Sequence, residues 1–194
     1  MKKQRKNEKP FEPVFFFGYG SLLWPPGING RGMRYEYETH DLIPARLHGF
    51  KRSFCAHFQG LNFYGLLPDE KATVNGIILP IFNRKDYRAL LANEGAVKAF
   101  GPHQVYWTTR VTNSMEYLKP HFRLPKGWRV MTLVCHDDKS GQGIISPWYV
   151  GRCHEFAKKW GKDFEKEFLA TGGWSMADWN RYHETRKPAL SQLK

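Results

Sequence analysis

The spacing of apolar and polar residues divides this chain into strands in its middle and helices towards its end. Val14–Phe17 is an unbroken β-branched and aromatic run that stops at Gly18, which predicts a buried strand entering a glycine-punctuated loop, Gly18–Leu22. The prolines and glycines from Pro25 to Gly32 predict irregular chain, with regular structure resuming at Leu42–His48. Phe50–Phe58 and Val74–Phe82 read as strands, with Pro68–Lys71 as a turn between their neighbourhoods. Val105, Trp107, Thr109 and Val111 alternate with Tyr106, Thr108 and Arg110, a strand pattern of period two, and Val130–Cys135 is another short strand.

Helical spacing appears at Arg84–Asn93, where Tyr87, Leu90 and Leu91 form one apolar stripe. Asn83 can cap this helix with Asp86 at its third position, and Gly95 suits the left-handed residue that ends one. Pro147 precedes a helical stretch, Tyr149–Trp160, with Val150, Cys153, Ala157 and Trp160 on one face. Asp163–Leu169 and Ser175–Glu184 predict two further helices separated by Gly172-Gly173.

At 194 residues the chain is long enough for one domain with a proper core plus tails. Its apolar runs fall short of the roughly eighteen residues that a membrane span needs, and Met1–Pro10 lacks the apolar region of a secretory signal. The expectation is therefore a cytoplasmic protein without membrane association. Three cysteines, Cys55, Cys135 and Cys153, show no C-x-x-C spacing and predict reduced, buried thiols. The dispersed histidines give no ligand spacing, so neither a metal site nor a cofactor is expected. The net charge of +12 changes the picture most, because such a surface attracts acidic proteins or nucleic acid. Part of the excess lies in the arm at Lys2, Lys3, Arg5, Lys6 and Lys9.

Two features can carry chemistry. In Phe17-Gly18-Tyr19-Gly20-Ser21-Leu22, glycines after a buried strand let successive backbone N–H groups face one concavity, a nest for a carboxylate or phosphate, with the Ser21 hydroxyl beside it. By pattern alone the same residues describe an ordinary tight turn. Glu94, beside Leu91, Ala92, Ala96 and Val97, would trade protons near neutral pH if buried, whereas a solvated glutamate at a helix end would not.

Val14–Trp24 resembles the opening signature of the γ-glutamylcyclotransferase superfamily, with its AIG2-like and ChaC-like branches. Leu47–Phe54, Asn62–Pro68 with Val74–Leu79, Leu90–Gly95 and Ser146–Tyr149 resemble later segments of that family in the same order. The resemblance implies an α+β fold, a mixed and partly closed β-barrel flanked by helices, with a C-terminal helical extension. It divides the chain into a disordered basic arm at residues 1–13, the γ-glutamylcyclotransferase-like domain at 14–161 and the extension at 162–194, which matches no family segment and reads as a docking element or a lid. It further implies that Tyr19, Gly20, Ser21 and Leu22 hold the carboxylate and amine of a small γ-glutamyl substrate, that Glu94 carries the proton and that Tyr149 lines the pocket. Where the family often places a tyrosine after Glu-Gly, this chain has Phe100 and Tyr106 in the neighbourhood. Two functions follow as expectations: an enzyme that cyclises a γ-glutamyl amide to 5-oxoproline, or a catalytically silent basic module on the same fold that docks an acidic protein or nucleic acid.

Overall fold

Val14–Gly18 (β1) is buried at every position, so both faces of the sheet are covered there. It runs antiparallel to Leu61–Ile81 (β3), with Gly18 opposite Ile77, and parallel to Arg129–Cys135 (β6), with Phe17 opposite Thr132. The computed structural model describes residues 10–96 and 105–173. The basic arm before Pro10, Phe100 and the Ser175–Glu184 helix of the sequence reading lie outside the described residues.

Ile43–Phe58 (β2) and β3 form one long antiparallel hairpin whose tight turn is Gln59-Gly60, both residues being left-handed at φ 50° and 78°. The turn expected at Pro68–Lys71 is therefore corrected. The register passes from His48 opposite Thr73 to Phe50 opposite Pro68, so residues 69–72 bulge out opposite Gly49 while the strand continues. Proline and polar residues mark a bulge here rather than a reversal, since a bulge also leaves backbone groups outside the ladder.

The stretch expected to be irregular contains a short helix, Pro25–Asn29 (α1), begun by prolines whose missing N–H groups are no loss in a first turn. Arg84–Asn93 (α2) starts where expected: Asp86 N–H donates to Asn83 Oδ1 at 2.9 Å, and Asp86 Oδ1 in turn accepts from the Arg34 N–H at 2.8 Å. Tyr106–Arg110 (β4) borders β6 at one edge of the sheet, and Met115–Tyr117 (β5) borders β2 at the other. Ile144–Ile145 (β7) pairs with the tip of β3. The strand order is β4-β6-β1-β3-β2-β5, and its two end strands do not pair, so the sheet stays open rather than closing into a barrel. Helices Pro147–Lys158 (α3) and Lys162–Thr171 (α4) pack beside it, completing the α+β class that the sequence implied. Among the described residues no helix is long and apolar enough to cross a membrane.

Arg52 of β2 is buried and joins three parts of this framework. Its Nε donates to the Tyr19 carbonyl at 3.0 Å, Nη2 donates to the carbonyl and side-chain oxygen of Asn75 on β3, and Nη1 donates to Thr171 Oγ1 and the Phe168 carbonyl of α4. The guanidinium also lies 4.3 Å from the centre of the Phe168 ring. Asn75 extends the link by donating to the Phe164 carbonyl at 2.7 Å.

The expectation of three reduced thiols is corrected for two of them. Cys55 on β2 and Cys135 at the end of β6 form a disulfide across 80 residues of sequence, and only Cys153 is free. Sequence spacing cannot reveal this pair because the sheet, not the local chain, brings it together. Gly65 of β3 makes the room: a Cβ there would collide with both sulfurs.

Two outcomes test this framework. Replacing Arg52 with methionine strands several buried carbonyls and should lower the unfolding free energy by about 2–4 kcal/mol, seen as an earlier denaturant midpoint at unchanged slope. Denatured without reductant, the protein should titrate a single thiol, Cys153, and all three after reduction; three from the outset would exclude the bridge.

Candidate active site

Where β1 ends at Gly18, its neighbour β3 continues past it, and the step between them opens a cavity of about 530 Å³. The loop Tyr19–Leu22 forms one wall, and the β2–β3 hairpin supplies Ala56, Phe58, Phe63 and Tyr64. The end of α2 supplies Glu94, β4 supplies Tyr106, and the first turns of α3 supply Trp148, Tyr149 and Arg152. Every site residue named from the sequence, Tyr19, Gly20, Ser21, Leu22, Glu94 and Tyr149, lines this one cavity.

The loop glycines work by permitting close approach. Neither has a positive φ, but a Cβ on Gly18 would meet Leu22 Cβ at 2.6 Å and one on Gly20 would lie 3.0 Å from the Tyr149 hydroxyl. The loop is tied from below. The Tyr19 phenol donates to the Leu133 carbonyl at 3.0 Å, the Tyr19 carbonyl accepts from Arg52, and Trp160 Nε1 donates to the Leu23 carbonyl at 2.7 Å. Tyr19 thus fixes the backbone while its phenol is occupied elsewhere.

Glu94 is the C-cap of α2, its N–H bonded to the Leu90 carbonyl at 3.0 Å, and Gly95 follows in the left-handed conformation at φ 69°. The helix end turns the carboxylate inward, leaving 15% of its side chain accessible. Arg31 meets it there, with Nε 2.8 Å from Glu94 Oε1. Both atoms are buried and their approach is off the line of an N–H···O hydrogen bond, so charge holds the pair. Arg31 Nη2 donates to Ser21 Oγ at 2.6 Å, and its carbonyl accepts from Asn93 Nδ2 at 2.7 Å. One guanidinium therefore couples the loop to the carboxylate.

Burial raises the Glu94 pKa above the ordinary carboxylate range, and the Arg31 charge pulls it part of the way back. Burial likewise raises the Tyr19, Tyr106 and Tyr149 phenols well above their usual value, so they stand as neutral groups. Tyr106 donates to the Tyr64 carbonyl at 2.8 Å. Among the described residues no group of three or more His, Cys, Asp or Glu side chains is placed to hold a metal ion.

Sequence reasoning missed Arg31, Trp148 and Arg152 as site residues. Arg31 lies among prolines and glycines with no periodicity, and nothing local distinguishes it from the other basic residues. Trp148 is part of the Ser-Pro-Trp-Tyr segment, so its proximity to the predicted Tyr149 was an available signal.

No protein-family model matches the sequence, and no curated protein matches it either. Solved structures do match. A crystal structure of YkqA from Bacillus subtilis superposes with a TM-score of 0.61 at 18% identity over 82% of this chain, which spans only 54% of YkqA. A structure named γ-glutamyl cyclotransferase aligns over 89% of this chain and 99% of its own length, with a TM-score of 0.59 and 17% identity. The uncharacterized protein loc79017 from Homo sapiens aligns over the same shares at 0.57 and 18%. The chain has the γ-glutamylcyclotransferase-like fold. At these identities the likeness concerns the γ-glutamylcyclotransferase-like backbone.

Arg31→Gln removes the nearest cation from Glu94 and should shift the Glu94 carboxyl titration to higher pH, followed by carboxyl ¹³C resonance. Because a raised pKa means that the folded state holds the proton more tightly, Glu94 favours folding below its unfolded pKa, and this contribution is lost as pH rises through the folded pKa. An unmoved or lowered titration in Arg31→Gln would disconnect the two groups.

Proposed function

We propose that this cavity cleaves a γ-glutamyl amide by intramolecular cyclisation, releasing 5-oxoproline and an amine. The observation that carries the reading is a buried carboxylate with a raised pKa, Glu94, facing the same cavity as the Gly18–Leu22 loop. One structure on this fold is named γ-glutamyl cyclotransferase, which agrees with it.

In such a substrate the α-amine is tethered to the γ-carbonyl that it attacks, so folding the chain into an attack conformer supplies much of the rate advantage. Tyr19, Gly20, Ser21 and Leu22 hold the glutamyl carboxylate and amine, and Tyr149 closes the wall opposite Gly20. Glu94 takes a proton as the α-ammonium becomes the nucleophile. The new C–N bond closes the five-membered lactam, the proton passes from Glu94 to the departing nitrogen as the amide bond breaks, and the second proton that the ring nitrogen sheds follows the same route, so that the amine departs as an ammonium ion. A carboxyl raised towards neutrality suits both halves of this exchange. Backbone N–H groups of the loop stabilise the oxyanion between them. Arg31 keeps Glu94 in place and limits how far burial raises it.

The alternative, a catalytically silent basic module, draws its support from the net charge of +12. A panel of γ-glutamyl compounds assayed for 5-oxoproline separates the two. With a substrate in hand, Glu94→Gln should lower kcat by about 10²–10⁴-fold with a smaller change in KM, because the amide keeps the shape but accepts no proton. Its unfolding midpoint should not fall. A folded Glu94→Gln protein with near-parental kcat would remove Glu94 from the mechanism.

A further inference from the structure

Three charged side chains line the cavity: Arg31, Glu94 and Arg152. Arg31 and Glu94 balance each other at 2.8 Å. Arg152 has no carboxylate partner among the described residues. Its guanidinium lies 5.3 Å from the centre of the Trp148 ring and 5.4 Å from that of Phe156. Such a contact orients the cation without neutralising it.

Arg152 and Trp148 both come from the first turns of α3. Trp148 is 61% exposed and Phe58, on the β2–β3 hairpin, is 40% exposed, although both line the cavity. Inside them Phe63 and Tyr149 meet edge to face at 5.0 Å between centroids. The mouth is thus an aromatic ledge carrying one uncompensated positive charge. Large aromatic groups left in contact with water at a pocket entrance favour a ligand that covers them, and an unpaired guanidinium favours a carboxylate in bidentate contact.

We infer that Arg152 and Trp148 form the leaving-group subsite, and that it selects γ-glutamyl conjugates whose departing amine carries a bulky aromatic side chain next to a carboxylate. The inference rests on the reading that the loop and Glu94 hold the glutamyl end. With that end held by the loop and Glu94, the amide substituent is left to the exposed part of the cavity lining, which carries Trp148 and Arg152. A cationic departing amine would meet Arg152 with like charge, and a small one would leave the ledge bare.

Three ligands isolate the two contributions: γ-glutamyl-phenylalanine, γ-glutamyl-phenethylamide, which lacks only the carboxylate, and γ-glutamyl-glycine, which lacks only the aromatic side chain. Dissociation constants are measured on the full chain carrying Glu94→Gln, which holds turnover off, alone and combined with Arg152→Gln or Trp148→Ala. Because Arg152 and Trp148 are exposed, both changes should leave the unfolding midpoint in place. γ-Glutamyl-phenylalanine should bind about 10–100-fold more tightly than the phenethylamide, and Arg152→Gln should bring the two to parity. Trp148→Ala should erase most of the advantage over γ-glutamyl-glycine and leave the carboxylate preference standing. Equal affinities for all three ligands, absence of binding, or an Arg152→Gln change that weakens the acid and the phenethylamide equally would overturn the inference; the last would put Arg152 at the glutamyl end. 5-Oxoproline release is assayed in parallel with Glu94 intact. Ligand preference without 5-oxoproline would refute the proposed reaction while leaving the subsite in place.

Discussion

The buried guanidinium of Arg52 is the interaction on which the candidate site depends. Removing a cation from water is costly, and burial lowers the Arg52 pKa to about 10. The protein offsets this with carbonyl oxygens from three segments, the Thr171 hydroxyl and the face of Phe168. The carbonyl acceptors belong to three separate parts: the loop after β1, the middle of β3 and the end of α4. The backbone carbonyl of Tyr19 is therefore fixed from beneath, and the opposite side of the same loop is left to face the cavity.

Above that anchor the Glu94 carboxylate is largely withdrawn from solvent. The phenols of Tyr19, Tyr106 and Tyr149 are neutral, and two of them, Tyr19 and Tyr106, are turned away to backbone carbonyls on neighbouring strands. Little polar surface competes for the carboxylate apart from Arg31. The same guanidinium also binds Ser21, so the charge state of Glu94 and the position of the loop are linked through one side chain. That linkage explains why a carboxylate at the end of a surface helix can be held inward rather than released to solvent.

Local signals were legible where the physics is local. The run Val14–Phe17 ending at glycine, the Asn83–Asp86 cap, and Gly95 after Glu94 each depend on residues within a few positions, and all three appear in the structure. Pro68–Lys71 shows the limit: proline and polar residues announce a break in hydrogen bonding, but whether the chain reverses or bulges depends on the partner strand, here β2 at Gly49. The two residues before the predicted start of α3 were likewise decided by Ser146, which caps the helix through the Tyr149 N–H.

What the sequence by itself determined was the order of the longer strands and helices, the presence of a glycine loop at a strand end and the placing of one carboxylate just past a helix, because these follow from periodicity, backbone preference and capping. The tertiary structure alone decided that Arg31 faces Glu94, that Arg52 lies under Tyr19, that Cys55 meets Cys135 and that Arg152 shares a cavity with Arg31 and Glu94. Each of these joins residues distant in sequence or otherwise indistinguishable from their neighbours. Their meeting is set by strand register and by the packing of α3 and α4, and a basic or thiol side chain carries no local mark of the partner that the fold will bring to it.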